Sequence, residues 1–74
     1  MTDTLLFHVV IQGDSGSVYN SSIWILSVWF NPDDNSVFTM DSYNDIDTIT
    51  DADSISDAMT KAMNFFRNDE IISA

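Results

Sequence analysis

Apolar and polar positions alternate along the first half of the chain with the two-residue period of a β-strand. In residues 4–12 (TLLFHVVIQ), Leu5, Phe7, Val9 and Ile11 share one face while Leu6, His8, Val10 and Gln12 share the other. Residues 22–30 (SIWILSVWF) form the most apolar segment, with Trp24, Leu26, Val28 and Phe30 on one side and Ile23, Ile25, Ser27 and Trp29 on the other. Both sides are apolar, which calls for cover on both or leaves one exposed. Residues 36–43 (SVFTMDSY) give a third strand, with Phe38 and Met40 opposite Val37, Thr39, Asp41 and Tyr43. The period then changes. Ile55, Ala58, Met59, Ala62, Met63 and Phe66 follow helical spacing and predict one amphipathic helix starting near Asp51, with Asn68 able to end it.

Turn chemistry separates these elements. Residues 13–17 (GDSGS) hold the only two glycines, and no Lys or helix start follows, so this is a turn and not a phosphate cradle. Residues 31–35 (NPDDN) join the second and third strands as a hairpin: proline presets φ, and Asp and Asn side chains bond their local backbone. Thr50 and Ser54 each precede an Asp by three positions, so either fits a helix N-cap. Residues 44–50 read as loop or short edge strand, and residues 69–72 as a short acidic tail. The expected architecture is α+β, a three-stranded antiparallel sheet with one C-terminal helix packed on one face (β-β-β-α), in one small domain over residues 1–74. The helix covers one face, so the other exposes several of Leu6, Val10, Ile23, Ile25, Trp29 and Tyr43, unless the sheet curls or Ile71 and Ile72 fold back over it.

The 45% apolar content is enough for a folded core and argues against intrinsic disorder. The absence of Cys excludes disulfides and thiolate metal sites. The N-terminal run lacks a basic flank and is interrupted by His8 and Gln12, so neither signal peptide nor membrane span is expected, and the cytoplasm is the expected location. Charge is where the composition departs furthest from average. Two basic residues, Lys61 and Arg67, stand against twelve acidic ones, a net charge of -10. That balance excludes ordinary binding to nucleic-acid phosphates and to anionic membranes, and points to basic partners.

Half of the acidic residues fall between positions 41 and 57: Asp41, Asp45, Asp47, Asp51, Asp53 and Asp57, with no Lys or Arg among them. Calcium coordination is one reading of such a run, but Asp45-Ile46-Asp47 only begins like an EF-hand loop. Thr50 stands where the glycine is needed and Ser56 where the bidentate Glu belongs. Paired-carboxylate hydrolysis needs a substrate cleft that a single-helix domain of this size does not offer. The only histidine, His8, has no nucleophile or orienting partner at a catalytic spacing. No catalytic group, metal ligand or cofactor is expected, and the chain is expected not to be an enzyme. One reading takes the whole acidic run as a solvated face, helix capping and solubility charge. The remaining reading is charge mimicry, because alternate residues of a strand lie about 6–7 Å apart and i,i+4 residues of a helix about 6 Å apart. Asp45/Asp47 and Asp53/Asp57 would then repeat negative charge on the scale of backbone phosphates.

In this acidic series, in the helix SISDAMTKAMNFF and in its small size, the chain resembles the phage-encoded inhibitors of bacterial defence, the anti-CRISPR and anti-restriction DNA mimics. The resemblance is one of size, charge and architecture over the whole chain, with no shared sequence signature. It implies an inhibitor that binds the basic nucleic-acid-binding surface of a host nuclease or effector. The expected partner-binding residues are Asp41, Asp45, Asp47, Asp51, Asp53 and Asp57, with Tyr43 and Trp29 as aromatic anchors. The alternative is a small interaction module that homodimerises through the uncovered sheet face, where Ile25 and Trp29 would matter and the acids would serve solvation.

Overall fold

A computed structural model describes residues 2–14 and 21–73, the side chains of residues 12–14, 21–22 and 73 excepted. The expected turn at residues 13–17 lies largely outside this description; Gly13 and Asp14 still belong to the first strand. The elements are β1 (Thr4–Asp14), β2 (Ser21–Asn31), β3 (Ser36–Met40), β4 (Ile46–Asp51), α1 (Ile55–Phe65) and β5 (Glu70–Ser73). All five strands join one antiparallel sheet in the order β4-β3-β2-β1-β5. The class is α+β, with two more strands than the sequence pattern suggests.

Both additional strands lie at the edges, and β4 is the short edge strand that residues 44–50 offered as the alternative to a loop. β4 follows the turn at 41–45 and pairs with β3, but a register shift between Val37 and Phe38 leaves Ile49 unpaired, which breaks the alternation of its six residues. β5 has only four residues, too few to show a period, and the acidic tail of the sequence reading is in fact this strand, paired with Phe7–Val10 of β1. α1 therefore leaves one edge of the sheet and delivers the chain to the other.

One face of the sheet carries the core. Phe7 and Val9 of β1, Val28 and Phe30 of β2 and Val37 of β3 are buried together with Ala58, Ala62 and Phe66 from the helix and Ala52 before it. Val9, Val28 and Val37 are wholly inaccessible to solvent. The two alanines let the helix axis approach the sheet, and Phe7 meets Phe66 edge to face with ring centroids 6.4 Å apart. Leu6 is also buried, because a register shift between Leu5 and Phe7 takes it out of the ladder. The buried stripe of the helix is narrower than its spacing implies: Ile55 and Met63 are about half exposed.

Helix capping also differs in position. Ser54 is the N-cap, and its side chain accepts from the backbone N–H of Asp57 at 3.1 Å. Asp51 closes β4 and Asp53 precedes the cap, so the helix starts later than expected and Asp53 is outside it. It ends at Phe65 with Phe66 as C-cap, before Asn68.

The sheet is uneven in width. β3 pairs with β2 only over Ser27–Asn31, and β5 pairs with β1 only over Phe7–Val10. Beyond these limits β1 and β2 continue as a two-stranded extension, paired with each other as far as Asp14 and Ser21. The molecule is correspondingly long, 42 × 23 × 19 Å. Its radius of gyration is 13.0 Å, against about 11 Å for a compact chain of this length.

Candidate interaction surface

The six carboxylates of the acidic stretch separate into two groups once their partners are known. Asp41 shapes the β3–β4 turn: its Oδ1 accepts from the N–H groups of Tyr43 at 2.8 Å and Asp45 at 3.0 Å. The same turn places Asn44 at φ 63°, a left-handed conformation that Asn tolerates. Asp57 serves the helix N-terminus, where its Oδ2 accepts from the N–H of Asp53 at 3.1 Å and lies 3.3 Å from Lys61 Nζ. These contacts, the Asp53 N–H foremost and Lys61 after it, hold the Asp57 carboxyl below its ordinary pKa of 3.8. The bond to Asp57 in turn raises Lys61 above 10.5. Lys61 also donates to the Asp51 carbonyl at 3.0 Å and lies 3.7 Å from the Asp51 carboxylate, fastening the helix to the end of β4.

Asp45, Asp47 and Asp53 form the second group. All three are exposed, and among the described residues no cation lies within ion-pair distance of them. Asp45 precedes β4, Asp47 lies within it and Asp53 follows it, so together they line one edge of the sheet. From Asp45 to Asp51 this edge spans about 20 Å at the usual strand rise. The helical i,i+4 spacing expected for Asp53 and Asp57 does not occur, since Asp53 is outside the helix and Asp57 is tied to Lys61.

The two aromatic candidates are in different places. Tyr43 projects from the β3–β4 turn beside Asp41 and Asp45 and is 76% exposed. Trp29 is two strands away on the face opposite the helix, half-buried, stacked on Phe38 at an interplanar angle of 8°. Its indole N–H donates to Ser27 Oγ at 2.8 Å, and that hydroxyl donates to the Met40 carbonyl at 3.1 Å. Trp29 thus anchors a local cluster that buries Phe38 without help from the helix. The sheet does not bring Trp29 together with the acids.

The face opposite the helix is the surface whose full extent the sequence reading missed. Cross-strand registers place Met40 opposite both Ser27 and Ile46, and Val10 opposite both Ile25 and Glu70, on this side. Ile23 is 71% and Ile25 57% exposed, and Ile46 and Ile72 are also open to solvent. Leu6 and Tyr43, both expected here, are absent: the first is in the core and the second in a turn. Ile71 and Ile72 do not fold over this face. Ile71 packs on the core side and Ile72 extends the open face at its β5 edge.

His8 lies half-buried on β1 between Ser27 and Ile72 of the neighbouring strands. Among the described residues no three His, Asp or Glu side chains converge to hold a metal ion, and Asp45-Ile46-Asp47 leads into an extended strand, unlike a calcium loop. No helix among the described residues is long and apolar enough to cross a membrane. The chain matches no family model, no curated protein and no solved structure. Its surface chemistry is therefore the only guide to what it does.

Proposed function

We propose that this protein is a non-enzymatic binder of a basic protein surface, and that the surface is the nucleic-acid-binding site of a nuclease or effector of bacterial defence. The observation that carries this reading is the acidic β4 edge. Asp45, Asp47 and Asp53 are exposed and in no salt bridge among the described residues, while Lys61 is engaged by Asp51 and Asp57 and acts on Asp53 only at longer range. Self-repulsion makes such an edge unfavourable in the free protein, and a basic groove relieves it. From Asp45 to Asp51 the edge of about 20 Å carries three carboxylates, about half the number of phosphates that one strand of B-DNA places over the same length. Tyr43 at the end of the edge supplies an aromatic anchor, with the rim carboxylates setting association rate and salt sensitivity.

The test is a pull-down from bacterial lysates with tagged protein, followed by charge reversal of Asp45, Asp47 and Asp53 to Lys. A captured nucleic-acid-binding protein should elute at moderate salt and be displaced by added DNA or RNA. The triple variant should fold as the parent does and lose that partner. Retention of the same partner by the triple variant overturns the reading.

The open sheet face favours a second reading, an interaction module that associates face to face through Ile25 and its neighbours. Ile23 and Ile25 stand exposed side by side on this face, and exposed apolar patches are usually contact surfaces. Sedimentation separates the two readings, since a protein that stays monomeric at micromolar concentration does not assemble through that face.

A further inference from the structure

We draw no further inference here: the strongest candidate, the exposed apolar patch at Ile23, Trp24 and Ile25 of β2 beyond its pairing with β3, carries nothing because nothing in the structure shows what covers it.

Discussion

The two faces of the sheet are built from the same kinds of residue and, the Trp29–Phe38 stack on the open side and Trp24 on the helix side apart, have opposite fates. β2 contributes Val28 and Phe30 to one face, where both are buried, and Ile23 and Ile25 to the other, where both are mostly exposed. Apolar character does not separate them; the packing partner does. An α-helix of 11 residues is about 16 Å long and can lie across one side of a five-stranded sheet only. The edges repeat the contrast, with β4 guarded by carboxylates and the outer part of β2 left bare. Stability is thus concentrated on the helix side, while Ile23, Ile25, Ile46 and Ile72 stay exposed on the open face.

The contrast is broken most directly by hollowing the covered face. Phe7→Ala removes the ring that meets Phe66 and should cost about 3–5 kcal/mol, most of the stability of a chain this short, read as loss of the urea unfolding transition at 25 °C. Ile25→Ser on the open face removes a side chain of similar hydrophobicity and should change the urea midpoint by less than about 0.5 kcal/mol. Equal costs for the two substitutions would mean that the open face is covered in solution.

Of intermediate size is the cap that holds the helix over the core. Ser54→Ala deprives the Asp57 N–H of its acceptor and should destabilise by about 1 kcal/mol, measurable by chemical denaturation with no change in the slope of the transition. Smaller again are the ionic contacts of Lys61. Asp57 has its folded-state pKa lowered, so its contribution is complete above the unfolded value near 3.8 and is lost as pH falls through the lower folded value. Lys61 has its pKa raised, so its contribution is complete below 10.5 and is lost as pH rises through the higher folded value. Urea midpoints across these two windows should decline at both ends, and Lys61→Met should abolish the alkaline decline and weaken the acid one. Against this background, added salt should raise stability by screening the net charge of -10.

The strands β1, β2 and β3 and the helix are legible in the sequence because each repeats its period for long enough. Val9, Val28, Ala58 and Ala62 are where alternation or helical spacing puts them. β4 is obscured by Asp45, Asp47 and Asp51 and by the bulge at Ile49, and β5 by its four-residue length. Leu6 illustrates a different limit: strict alternation assigns it to the open face, and a single register shift buries it. The acidic run was visible at once, but the division of labour within it was not. Asp41 and Asp57 bond to local backbone, a use of carboxylates that depends on where the turn and the cap fall.

By itself the sequence determined the α+β class, which residues of β1 and β2 share a face but not which face the helix covers, the charge imbalance and the exclusion of thiolate chemistry, because these follow from composition and from periods local to each segment. Only the tertiary structure decided which strands flank which, that the helix joins opposite edges, that Asp45, Asp47 and Asp53 are in no salt bridge among the described residues, and that β2 outruns β3. Those outcomes depend on pairing between residues distant in the chain. The free energy of such pairing lies in registers and shared surfaces that no single segment encodes.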